Sequence, residues 1–182
     1  MRGAIGRLAA AALCLAALAG CGSSSSSASA TRSPGQYVSS VCGAFGPMYD
    51  QLKALEAIHL STVAARKDAA IRMLSILQTG VESGLPKLRA AGEPDIANGR
   101  QIASATVTTF SRLQSSLATG VKQAQSLPTT SLSAFQTASE TLFLRVFGSA
   151  QTAGVNLTAM RNPTLIKAAA GQPACRGLSF GG

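Results

Sequence analysis

The residues best placed to do chemistry are Glu56 and His59, in the stretch Glu56-Ala57-Ile58-His59. Residues three apart on a helix project to the same side, and di-iron helical bundles hold their metals with two Glu-x-x-His pairs plus two further glutamates. This chain has 1 His. A second pair therefore cannot exist, and His59 reads as an exposed residue at a helix end. Nucleophilic catalysis finds no better footing. Serine is abundant, but no Gly-x-Ser-x-Gly turn is there to expose one, and the lone imidazole has no partner that spacing brings to it. Asp50, Glu56, Asp68, Glu82 and Glu140 are spread over different helical stretches or faces, which gives no acid–base pair. The glycines are scattered rather than gathered into a phosphate loop, and Met48, Met73 and Met160 sit among apolar residues as core filling. Neither a cofactor nor a metal is expected.

What remains is the chemistry of sulfur. The 4 cysteines stand at positions 14, 21, 42 and 175, and the chain around the first two decides what the others do. Arg2 and Arg7 make a positive start, Leu8 to Ala19 is apolar apart from Cys14, and Gly20 and Cys21 follow. That is the layout of an export signal. An apolar run of about a dozen residues falls short of the ~20 that a membrane-crossing helix needs. A buried first helix does not account for the abrupt change to Ser23–Ser27. Arg2 and Arg7 are not a twin-arginine pair, so export in the unfolded state is expected.

Leu18-Ala19-Gly20-Cys21 matches the lipobox of bacterial lipoproteins at every position. The chain thereby resembles small secreted lipoproteins of high-GC bacteria, a loose group with no common biochemistry. The resemblance covers the first 21 residues. It implies that Cys21 receives a diacylglyceryl thioether, that the signal peptide 1–20 is cut before Cys21, and that the new amine is open to acylation. One acyl chain binds a membrane marginally, whereas two anchor stably. The expected location is the extracytoplasmic face of the cell membrane, with the lipid bilayer held through Cys21.

Removal of residues 1–20 leaves 162 of the 182 residues, enough for one domain with its own core. The formal charge of +9 falls to +7 once Arg2 and Arg7 are gone. An exported chain meets little nucleic acid, so no nucleic-acid partner is expected; lipid headgroups or cell-wall polymers are the available anionic counter-surfaces. The cations are mostly single, Arg66-Lys67 and the close Lys87 and Arg89 excepted, as on an ordinary solvated surface. Ser23 to Pro34 lacks apolar periodicity and reads as a flexible tether. Cys42 and Cys175 are then two thiols in an oxidising compartment, and they are expected to form a disulfide.

These residues need a scaffold, and helical spacing supplies it. Tyr37, Val41, Ala44 or Phe45, Met48, Leu52 and Leu55 advance by threes and fours, with Gly46-Pro47 as a kink or as the true start of the first helix. The second runs from about Val63 to Ala91 on a seam of Ala70, Leu74, Leu77, Val81, Leu85 and Leu88, with Gly84 and Pro86 as bending points. Gly92-Glu93-Pro94-Asp95 reads as a stop and a start, its acids favouring the positive end of the next helix. Ile102, Thr106, Phe110, Leu113, Leu117, Val121 and Ala124 mark the third. Ser131 caps the fourth, which carries Leu132, Phe135, Ser139, Leu142, Val146, Ala150, Ala153 and Leu157. Asn162-Pro163 opens a short fifth helix that Gly171 closes. Nothing reads as a strand. Ser75–Val81 echoes Ser115–Val121, with Gly80 and Gly120 placed to let helices approach closely.

The expected fold is all-α, an antiparallel up-down-up-down four-helix bundle with a short C-terminal fifth helix, over residues 35–182 after a tether at 21–34. In that topology the first helix begins where the fourth ends, which brings Cys42 towards Cys175. The expected function is that of a non-catalytic surface interaction protein whose partner contacts are His59, Arg66 and Lys67, at the end away from the bilayer. A carrier of an apolar ligand between the helices is the alternative, and an enzyme with an unrecognised site the third.

Overall fold

The apolar periodicities become helices with nearly the expected spans. The computed structural model describes residues 30–55, 60–152 and 162–176, with backbone alone at 149–152. The signal sequence, Cys21, the serine run, Glu56, His59, Ala153 and Leu157 lie outside the described residues, and Ala150 is placed by its backbone only. Five α-helices are described: α1 Pro34–Leu55, α2 Val63–Ala90, α3 Gly99–Ala124, α4 Leu132–Thr152 and α5 Pro163–Ala170. The fold is all-α, with the helices packed on one another. α1 and α2 run antiparallel: Met48 lies against Gly80 and Phe45 against Gly84, so positions rise on one helix as they fall on the other.

Local chemistry explains the helix ends. Ser33 and Gln36 form a reciprocal cap at the start of α1: the Gln36 N–H donates to Ser33 Oγ (3.4 Å) and the Ser33 N–H to Gln36 Oε1 (3.3 Å). Thr62 Oγ1 accepts from the Ala65 N–H at the head of α2, and Ser131 Oγ from the Ala134 N–H at the head of α4, as its sequence position implies. Asn162 Oδ1 accepts from the Thr164 and Leu165 N–H groups, with Pro163 in the first turn of α5. Pro47 and Pro86 both lie inside helices. Each is exposed, and the carbonyls they leave without a donor belong to the exposed Gly43 and Glu82, where water can serve them.

Five expectations need correction. Pro47 does not mark the start of α1, which begins at Pro34 because Ser33 caps it. Residues 31–34 are not tether. Thr31–Arg32 (β1) pairs in parallel with Glu93–Pro94 (β2), so the chain has a short strand pair after all. The Glu93 N–H donates to the Ala30 carbonyl (3.0 Å) and the Asp95 N–H to the Arg32 carbonyl (2.7 Å). Gly92, at φ 75°, and Gly99 have no room for a side chain, since a Cβ would run into the Ala30 and Pro94 carbonyls respectively. That pairing also moves the start of α3 to Gly99, so no acid stands in its first turn. Glu93 instead meets Arg100, with Nε 3.2 Å from Oε1. Finally, Leu132 is 43% exposed: it keeps the helical period but sits at the first residue of α4, beyond the packed seam.

The core divides along the length of the bundle. One cluster joins Tyr37, Val41, Cys42 and Phe45 of α1 to Leu85, Leu88, Ile102, Leu165 and Cys175. The other joins Ala70, Leu74 and Val81 of α2 to Leu117, Ala124, Leu127, Phe135, Leu142 and Val146. Helices α2 and α3 run through both, whereas α1 contributes buried residues to the first and α4 to the second. Phe110 packs against both clusters. Gly80 and Gly120 are close-approach points, Gly80 under the Met48 side chain and Gly120 under Val146.

Candidate functional site

Residues that share a cluster share an end of the molecule, and this places the sequence-predicted site residues. The start of α1, the α2–α3 connection, α5 and Cys175 lie at one end. Val63, Leu127 and Phe135 lie in the other cluster, which puts the α1–α2 and α3–α4 connections together at the opposite end, as an up-down-up-down topology requires. Cys42 and Cys175 form a disulfide, with Cα atoms 5.1 Å apart across 133 residues of sequence. Both sulfurs are buried, and a turn of 3-10 helix, Pro173–Cys175, carries Cys175 back to α1 after α5.

Arg66 and Lys67 stand at the far end, half-buried in the first two turns of α2. No acidic residue occupies that first turn. Cations at a helix N-terminus oppose the macrodipole by a few tenths to ~1 kcal/mol each, and neither makes an ion pair among the described residues. The third proposed contact, His59, falls outside the described residues. Beside this end an open groove runs between α3 and α4, lined by Gln123, Ser126, Pro128, Thr137, Thr141 and Arg145. Sequence reasoning missed it: its polar residues lie on the outward flanks of two helices, and spacing on either helix does not show how the flanks face.

A small, partly open apolar pocket of about 30 Å³ lies at the disulfide end, bounded by Tyr37, Val38, Val41, Ile102, Thr106, Leu165 and Ile166. Ligand pockets run to several hundred Å³, so this one holds little more than a water molecule. The Tyr37 and Thr106 side chains are hydrogen-bonded there. Each residue was expected on its helix seam, but nothing in the spacing joins positions so far apart. Thr106 Oγ1 also donates within its own helix, to the Ile102 carbonyl (2.7 Å), as Thr109 Oγ1 does to Ala105 (2.7 Å) and Ser139 Oγ to Gln136 (3.0 Å). Among the described residues, no three His, Cys, Asp or Glu side chains converge.

Burial raises the pKa of the Tyr37 phenol above its ordinary 10.0, and the Thr106 hydrogen bond opposes this in part. The folded state thus holds the phenolic proton more tightly than the unfolded chain. Its contribution to stability is complete below pH ~10 and is lost as the pH rises from there through the folded-state value. In urea unfolding between pH 8 and 11.5, Tyr37→Phe should flatten the alkaline fall in stability. At neutral pH it should cost no more than about 1.5 kcal/mol, for the lost hydrogen bond. Parallel pH profiles for the two proteins would contradict the assignment. No family model, curated protein or solved structure matches the chain.

Proposed function

We propose that the chain is a lipid-anchored protein of the extracytoplasmic membrane face and acts by binding another envelope component rather than by catalysis. The observation that carries the reading is the lipobox Leu18-Ala19-Gly20-Cys21, closing the apolar run Leu8–Ala19. No helix among the described residues is long and apolar enough to cross a membrane, so attachment in this reading falls to Cys21. Binding is assigned to the end opposite the disulfide, where Arg66 and Lys67 stand near the positive end of α2 with no ion pair among the described residues and where the α3–α4 groove opens. Loops and helix ends on a rigid scaffold are where binding residues gather. The alternative of an apolar-ligand carrier has less support among the described residues, where the apolar pocket beside Tyr37 offers about 30 Å³, far below the size of such a ligand.

Intact mass of the protein from a membrane fraction tests the anchor. The expected species starts at Cys21 and carries a diacylglyceryl adduct, and Cys21→Ala should leave an uncleaved precursor or release the protein from the membrane. A soluble, unmodified mature chain would refute the anchor. In the same cells, Arg66→Glu with Lys67→Glu should weaken cross-linking to a partner without loss of fold. Unchanged cross-linking would remove the far end from the proposal.

A further inference from the structure

The disulfide end of the bundle, where the described chain begins at Ala30, gathers positive charge from separate parts of the sequence. Arg32, Lys87, Arg89, Arg100, Lys167 and Arg176 all stand at this end, with Glu93 and Asp95 as the acids among them. All of these cations but Arg32 are exposed. Arg32 is half-buried, with its Nε closed off from solvent. Glu93 is engaged by Arg100 at 3.2 Å, which leaves Asp95 as the exposed acid of this end. The helix dipole explains some of the pattern, since Lys87, Arg89 and Lys167 lie in last turns, where cations are favoured. It does not explain Arg32 or Arg176, and it disfavours Arg100 in the first turn of α3.

Chain length identifies the counter-surface. Only nine peptide units separate Cys21 from Ala30, where β1 is about to begin. Fully extended, they span at most about 31 Å. With Cys21 in the headgroup layer, this end cannot leave the neighbourhood of the bilayer, and any approach within the ~8 Å screening length meets the field of anionic lipid. Cell-wall polymers carry similar charge but have no such tie to this end.

We propose that the disulfide end of the bundle is a docking face for the anionic headgroups of the bilayer that carries Cys21, so that the domain is seated upright with Arg66 and Lys67 turned outward. The inference rests on the anchor for its orientation, and the vesicle assay separates the two. The probe is the full mature chain, residues 21–182, with Cys21→Ser so that lipid cannot contribute. Its partition is measured by sedimentation onto vesicles of phosphatidylcholine with 30% phosphatidylglycerol, and onto phosphatidylcholine alone. Binding is expected to the anionic vesicles and not to the neutral ones. Lys87→Glu, Arg89→Glu and Lys167→Glu together should reduce the partition at least tenfold. The equal charge change Arg66→Glu, Lys67→Glu and Lys122→Glu at the other end should alter it less than twofold. Circular dichroism verifies the fold, and should the Glu variant unfold, the three Gln replacements at Lys87, Arg89 and Lys167 serve, with a smaller loss of the same sign. Equal binding to neutral vesicles, equal losses from both ends, or tighter binding to soluble polyglycerol phosphate than to vesicles at equal phosphate would each overturn the proposal. If intact mass shows no lipid on Cys21 while the anchor-end variant alone loses vesicle binding, the docking face survives and the anchor does not.

Discussion

Replacing Cys42 and Cys175 together by serine should remove roughly 2–5 kcal/mol of folding free energy, one of the largest effects any change in this protein can have. The bridge closes 133 residues of sequence. Chain-entropy arguments value such a closure at about 5 kcal/mol, as an upper figure. What the bond holds makes the effect local as well as global. Helix α5 has 8 residues, too short to persist alone in water. It lies on α1 through Leu165 and Ala169, and the turn that follows it ends at Cys175. Without the bridge, α5 should lose hydrogen-exchange protection first, while amides beneath Leu74 and Leu117 at the far end keep theirs. Urea midpoints of the oxidised protein and the double variant give the magnitude, and exchange gives the location. A loss under 1 kcal/mol, or equal loss of protection in α4 and α5, would show that the bridge is not what holds this end.

The parts of this architecture that sequence made legible are those decided within about one helical turn. Periodicity identified Leu74, Val81, Leu85 and Leu88 on α2, and Ile102, Thr106, Leu117 and Ala124 on α3, because burial on a helix repeats every three to four residues. The caps at Ser131 and Asn162 were legible for the same reason, since an Oγ or Oδ1 and the N–H groups it serves are two or three residues apart. The cap at Ser33 is as local, a serine followed three residues later by Gln36, but it adjoins a serine-rich run whose composition reads as tether. The β1–β2 pair was beyond reach. Two residues have no period, and their partners lie some sixty positions away. Cys42 and Cys175 were legible across a longer distance only through the expectation that Cys14 leaves with a signal and Cys21 is lipidated, which leaves these two thiols to pair. At the far end, the sequence marked Arg66 and Lys67 but not the groove between α3 and α4, because a groove belongs to two helices at once. The same limit hid the division of the core: each helix declares its buried face, but not which neighbour covers it.

That division sets up the second large effect. The Phe110 ring stacks on Phe45 with centroids 4.3 Å apart and planes 18° from parallel, and the same side chain packs against both clusters. It is therefore a side-chain bridge between the end closed by the disulfide and the end built around Leu74, Leu117 and Leu142. Truncating a large core aromatic to alanine costs about 3–5 kcal/mol, and the aromatic pairing with Phe45 adds about 0.5–1.5 kcal/mol that would also be lost. Because Phe110 is only partly buried, Phe110→Ala should fall near the low end of that range, about 3 kcal/mol. The more telling outcome is in cooperativity. The disulfide end keeps its covalent closure and its contacts around Cys42, whereas α4 is held by α3 and the second cluster. With the bridging ring gone, the two should separate in urea, α4 opening at lower denaturant than α1 and the overall m-value falling. Phe110→Leu keeps apolar volume at the junction and should retain most of the stability together with a single transition. Leu144→Ala, at a side chain 67% exposed, should stay within about 0.5 kcal/mol of the parent and serves as the surface control. Coincident unfolding of α1 and α4 in Phe110→Ala, with a loss below 1 kcal/mol, would show that the backbones of α2 and α3 alone couple the two ends and that the ring is filling rather than a joint.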